Sequence, residues 1–549
     1  MATQRLTLGE WLPDQPGLVN ALSDAKNVVA QQVGYGPMKS AVAISQTAPD
    51  ATLSSIYAAK DNTGETNLFV AGDYRVYSAS GVGVLTDLSS QTGTYDQVST
   101  TITVTVEAHR FKTGDVVYLN FTSGDAVDDE YTVTYVDADT FTVTATSATT
   151  SGDVTVTNKE DGYSATSRVR FTQFGSNILF TNNSQRLQSY VMGESSKFKN
   201  LSDDAPIAKY ITVVRDFVVV ANTYEEAEQK PYRVRWSDFN DETEWTYSDT
   251  TQSDFQDLPD GGQIMGIRGG EIGIVLMERG IYRMTYVGTP FIFQFDNISR
   301  GKGCVSSGSV AQFQGITFFL SDDGFYMCDG QQVTPIGAEK VDRWFFENVD
   351  EAALNDISAA VDPIKKTVVW NFKTNSGFYA QLVYNFKVAK WTYGDAQMDF
   401  ISDASTPALT LEELDSISAS IDGLPQSLDS VVYLGGRFFL GGTYNAKMYA
   451  FTGSNMTGVI SSGDIDAGAN SVITLARPQV DNGSGSVAVA SRRLLSETPT
   501  FGTLVAADSE NRVPLRSAGR YHRIKLTPTG DNWTTAIAVD YDLVGQGTR

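Results

Sequence analysis

Cysteine, histidine, positive charge and long apolar runs are all scarce in this 549-residue chain, and each shortage removes a class of function. Its two cysteines, Cys304 and Cys328, are too few for a disulfide framework and belong to no CxxC pair. Both are expected to be reduced and packed as small hydrophobes. The two histidines, His109 and His522, lie far apart, which excludes an HExxH motif and leaves no zinc ligand set. Neither a GxSxG elbow nor a P-loop occurs. Apolar stretches such as NILF, FVVVA, GIVLM, ITFFL and TVVWNF stop far short of the ~20 residues of a membrane helix, so no span is expected. The start, MATQRLTLGEWLPDQPG, lacks the basic-then-apolar pattern of an export signal. Lysine and arginine total 41 against 65 aspartates and glutamates, a formal net charge of −24. That balance argues against a protein that grips phosphates through basic grooves.

What the chain does have is short alternating strands and turns. Hydrophobic residues make up 41% and there are 48 glycines, enough for a large core broken by many turns. A recurring unit pairs an apolar strand, a polar turn and a second strand rich in tyrosine or phenylalanine. It appears in LFVAGDYRVYSAS, ILFTNNSQRLQSYV, GIVLMERGIYRMTYVG, TFFLSDDGFYMCDG and FFLGGTYNAKMYAFTG. Each such hairpin needs neighbours to bury its second face, and recurrence at roughly 35–50 residues marks a β-propeller. The expected fold is all-β: a propeller of six or seven blades over 51–97 and 158–453, with a string of β-sandwiches as the alternative. Residues 98–157 are crowded with threonine and valine in strict alternation and read as an inserted small β-barrel or sandwich. Residues 454–549 read as a terminal β platform domain, completed by an N-terminal arm over 1–50.

Candidate chemistry is thin. The loop in RVRWSDFNDETEW offers Asp238, Asp241, Glu242 and Glu244 between Trp236 and Trp245, but acidic surface turns are common in so acidic a chain. DIDAGAN at 464–470 lacks the full acidic spacing and terminal glutamate of a calcium loop. Trp236, Trp370 and Trp391 sit inside alternating strands, as core residues do. His109 reads as a turn-side residue, and His522 as facing either side of its strand. No catalytic residue, cofactor-binding residue or metal ligand is assigned, and no enzyme activity is expected.

The segment YRVRWSDFNDETEWTYSDTTQSDFQDLPDGGQIMGIRG resembles the central part of tail nozzle (tail hub) proteins of short-tailed bacteriophages. GIVLMERGIYRMTYVGTPFIFQFDNISRGKGCVSSGSV looks like the next blade of that family. The lead-in WLPDQPGLVNALSDAKNVV and the closing AGRYHRIKLTPTGDNWTTAIAVDYDLVGQGTR are similar to phage structural proteins of this type. The resemblance implies a structural virion protein in the viral tail, assembled in the host cytoplasm as a ring, by analogy a homohexamer. It also implies a head-to-tail adaptor partner, attached tail fibres, spikes or needle, and a channel that double-stranded DNA traverses during genome ejection without specific binding. The net charge fits an acidic or neutral lumen. A carbohydrate-binding or glycan-degrading β-propeller is the alternative, and it would require grooved aromatics and two carboxylates about 5–9.5 Å apart.

Overall fold

A computed structural model describes residues 2–17, 21–48, 52–72, 75–81, 83–158, 168–405, 418, 420, 423 and 438–546. Parts of the expected propeller, 159–167 and most of 406–437, therefore lie outside the described residues. Among those described, regular structure is almost entirely strand, with one α-helix, Asp342–Asn348.

Among the described residues the alternating hairpins form seven successive four-stranded antiparallel units, the sixth of them part of a larger sheet. Their first strands are Leu53–Lys60, Arg170–Phe174, Ile207–Val214, Ile264–Arg268, Ala311–Phe313, Ser358–Asp362 and Phe400–Ser405. The second strand of each is the most apolar. Phe217–Glu225 buries seven successive residues and Gly273–Met277 all five, because a middle strand is covered on both faces by the units beside it. The seventh unit takes its outermost strand from the other end of the chain: Val42–Ala43 pairs with Lys447–Ala450. Its first strand packs on the first unit, where Ser402 Oγ donates to the Ile56 carbonyl at 3.2 Å and Leu53, Ile56, Ala404 and Met448 share one core. The units therefore close into a ring, and the fold is a β-propeller.

The platform is continuous with that ring. Ala2–Thr7 pairs along its whole length with Thr535–Gly545, and Leu22–Lys26 pairs with Val459–Ser462. Lys26 then bridges to Tyr393 in the last strand of the sixth unit, so one 14-stranded sheet runs from the platform into the propeller. A single hydrophobic cluster follows it, uniting Trp11, Trp370 and Trp391 with Ile460 and Val539. The N-terminal arm thus serves two places, the platform and the closing strand of the seventh unit.

The insert is a five-stranded sheet from Gln91 to Asn158, longer at its start than the alternation suggests because Gln91–Val98 extends the first strand against Thr149–Val156. It has its own core of Ile102, Val104, Leu119, Phe141, Val143 and Val154. Cations and carbonyls attach it to the second unit: Lys112 Nζ donates to the Asp203 carbonyl at 2.6 Å, and Lys199 Nζ to that of Ala108 at 2.8 Å.

Candidate functional site

The residues singled out in the sequence do not converge. In the acidic loop, Asp241 Oδ1 accepts the N–H and hydroxyl of Thr243 at 2.9 and 2.7 Å, and Glu244 Oε1 accepts the Thr246 N–H at 2.7 Å. Asp238 Oδ1 accepts from the Phe239 and Gln252 N–H groups at 2.8 and 2.6 Å, and Glu242 Oε1 from Asn177 Nδ2 at 3.1 Å. Those of Asp241 and Glu244 build the turn locally, while Glu242 ties the loop to Asn177 of the second unit. Trp236 closes a strand and packs on Phe293, while Trp245 lies outside any strand, plugged into the core between the second and third units with Leu179 and Leu187. It anchors a loop by donating its indole N–H to the Glu242 carbonyl at 2.8 Å.

Trp370 and Trp391 are fully buried. His109 sits at a turn but is a core residue, stacked on Phe111, with Nδ1 accepting the Phe111 N–H at 2.9 Å. His522 is buried between Ser471 and Ser491, its nitrogens 2.8 and 2.7 Å from their hydroxyls, and burial lowers its pKa. In the 464–470 segment the carboxylates meet arginines. Asp464 receives Arg492 Nη2 at 2.6 Å and both Nε and Nη2 of Arg523 at 3.0 and 2.8 Å, and Asp466 pairs with Arg520. Both cysteines are free and buried.

The feature that sequence reading missed is the bore of the propeller. Residues from the first strands of all seven units surround a cavity of about 440 Å³. A narrower one of about 180 Å³ shares Arg268 and Asp403 with it and adds Arg168 and Arg170. Each guanidinium is held by carbonyl and hydroxyl oxygens. Arg168 Nη1 donates to the Ile357 carbonyl at 3.3 Å and lies 4.8 Å over the Phe400 ring. Arg170 donates to the carbonyls of Arg168 and Lys209 and to Ser307 Oγ, at 3.0, 3.3 and 3.0 Å, and lies 4.6 Å over Tyr210. Arg268 Nη2 donates to the Val310 carbonyl at 2.6 Å.

None of the three makes an ion pair with a described carboxylate. Arg168 Nε is buried without a hydrogen-bond partner. Burial lowers all three pKa values; Arg170 lowers those of Arg168 and Arg268 further, and Arg168 falls to about 10. Asp403 is the one carboxylate among the described residues lining the bore, and its pKa is raised by burial despite the attraction of Arg268. Isolated Arg residues alternating with apolar ones at the start of a meander were the available signal, for such residues face the axis of a ring.

No protein-family model matches the chain, and no curated protein sequence is significantly similar to it. Solved structures of similar fold include the WD40 domain of Neurospora crassa Pan2, at 8% identity and a TM-score of 0.32, covering 75% of this chain and 94% of that one. The WD40 domain of Toxoplasma gondii coronin matches at 8% identity and a TM-score of 0.32, over 80% of this chain and 87% of that one. An exo-β-1,3-galactanase from Phanerochaete chrysosporium matches at 8% identity and a TM-score of 0.24, over 68% and 95%.

Proposed function

We propose that this chain is a structural subunit of a virion tail, the nozzle of a short-tailed phage, working as one member of a ring rather than as an enzyme. The observation that carries the reading is the sheet shared by platform and propeller, which locks both termini into one rigid slab. A subunit that must keep its register in a ring while DNA and attached proteins load it benefits from such a slab. The platform also presents Leu494, Leu495 and Leu504, which are 61%, 43% and 46% exposed, as apolar surface for a neighbouring copy or adaptor. Asp241 and Glu244 of the acidic loop are engaged in turns, and the described residues lining the bore include one carboxylate, Asp403, rather than a pair.

The native mass of the purified chain, alone and with its adaptor, tests this. A closed ring, six copies by analogy, is a multiple of 59.6 kDa, and a chain monomeric in both settings refutes it. Glycan binding is the second reading, favoured by the exposed aromatics Phe239, Tyr247 and Phe255 on the third unit. Retention on an immobilised polysaccharide, lost on Tyr247→Ala, supports that reading over the first.

A further inference from the structure

Among the described residues lining the bore, arginines outnumber carboxylates. Carbonyl and hydroxyl oxygens accept from part of the N–H groups of Arg168, Arg170 and Arg268, and these acceptors are themselves neutral. Among the described residues lining the narrower cavity, three guanidiniums face one carboxylate, Asp403, while Asp356 attracts Arg168 from outside the lining. Buried charge of that kind is costly unless a counter-charge sits with it. Arg168 Nε, in a side chain only 9% exposed, is an unpaired donor lining the same space. The three side chains come from the second and fourth units, so a ligand meeting all of them needs acceptors pointing in several directions.

We propose that the bore holds a small tetrahedral oxyanion of the inorganic phosphate or sulfate class, bound by Arg168, Arg170 and Arg268. A dianion cancels the excess charge. Four oxygens, rather than the two coplanar oxygens of a carboxylate, reach donors on separate strands, and a cavity of about 180 Å³ admits such an ion with some water. The ion links the second and fourth units past the third and so fastens that part of the ring from inside. Asp403 sets the upper limit on affinity, because it is the like charge that the ligand meets.

Calorimetric titration of the full chain with inorganic phosphate and with sulfate, at constant ionic strength in chloride, tests the site. One ion per chain should bind with a Kd of about 1 mM or tighter. The melting temperature should rise along the saturable curve expected for a ligand that binds only the folded state. Arg268→Gln should weaken binding about tenfold or more, and Asp403→Asn should tighten it about threefold or more.

Both ions also stabilise folded proteins by exclusion from their surfaces, so an equal rise in wild type and Arg268→Gln overturns the proposal. Absence of saturable heat in the wild type overturns it regardless of any variant. If Arg268→Gln does not fold, Asp403→Asn decides: tighter binding supports the site, and unchanged or weaker binding overturns it. Glucose 6-phosphate in the same titration separates a free ion from a phosphoryl group on a larger molecule. Preference for the free ion supports the assignment, and preference for the ester overturns it.

Discussion

The tripeptide Arg-Val-Arg followed by an aromatic occurs twice, as Arg168–Phe171 in the bore and as Arg233–Trp236 on the third unit, with opposite electrostatic outcomes. In both the valine points into the core, with Val169 and Val234 buried, and the two arginines face the other way. On the third unit they meet Glu225, which accepts Arg233 Nη1 at 3.3 Å and Arg235 Nη1 at 3.0 Å. Arg233 also makes a two-pronged pair with Asp257 at 2.8 and 3.0 Å, over the Phe255 ring. In the bore the partners are carbonyls, an alcohol and aromatic faces. The same local sequence is thus neutralised or left charged according to which strand stands beside it. A third-unit arginine has antiparallel neighbours on both sides, whereas a first strand has open space along one edge.

The sharpest break in this comparison lies in the fully paired extreme, Asp464, whose side chain is 1% exposed beneath Arg492 and Arg523. Asp464→Ala strands two arginines, and denaturant unfolding should show a loss of about 3–5 kcal/mol. Burial alone would raise this carboxyl, but hydrogen bonds from Arg523 and Arg492 outweigh it and hold the pKa below its ordinary value. Its contribution is therefore complete above about pH 4, where the unfolded carboxyl ionises, and fades as pH falls through the lower native value.

The converse case is Asp342, a carboxylate that pairs with no cation among the described residues. Burial is the main cause that raises its pKa to about 7, aided by Asp14 and Asp323 and opposed by the N–H of Phe325. The carboxyl is cradled by two glycines: a Cβ on Gly324 or Gly337 would stand 2.1 or 1.9 Å from its oxygens. The native state binds the extra proton between about pH 4 and 7, so wild-type stability should fall as pH rises through that window. Asp342→Asn should stabilise by about 1–3 kcal/mol at pH 8 and by almost nothing at pH 4, read from unfolding midpoints at both pH values.

Smaller again is Glu225→Gln, which keeps an acceptor for Arg233 and Arg235 but removes the charge. A loss of about 1–2 kcal/mol is expected, because Asp257 and the Trp245 carbonyl remain. At the bottom stands Arg5→Ala. Its pair with Asp540 is two-pronged at 2.7 and 3.0 Å, yet Arg5 is 63% exposed, and thermal melts should not separate variant from wild type. A larger effect there than for Glu225→Gln would mean that geometry, not burial, ranks these pairs.

Much of the architecture was legible because each unit carries its own alternation. The apolar runs FVVVA and GIVLM became the second strands Phe217–Glu225 and Gly273–Met277, and the threonine–valine alternation of the insert marked a separate sheet. Less legible was anything fixed by distant chain. Val42–Ala43 is too short to signal a strand and exists only because Tyr449 and Ala450 are there to receive it. Trp245 carries no strand alternation of its own, and a neighbouring unit supplies its pocket. The bore arginines were hidden for the same reason: Arg168 and Arg268 share no sequence neighbourhood, and only ring closure brings them to one cavity.

The pairing of Ala2–Thr7 with Thr535–Gly545, and of Val42 with Ala450, also sets an order in time. At about 5–20 residues per second, a ribosome takes roughly half a minute to two minutes over a chain of this length. Throughout that interval Ala2–Thr7 and Val42–Ala43 lack their partners, while the insert and the middle units, whose contacts are local, can already fold. Contacts so distant in sequence also slow refolding. Ala2–Thr7 is therefore among the last strands to settle, and a polypeptide cut short before Thr535–Gly545 leaves it unpaired.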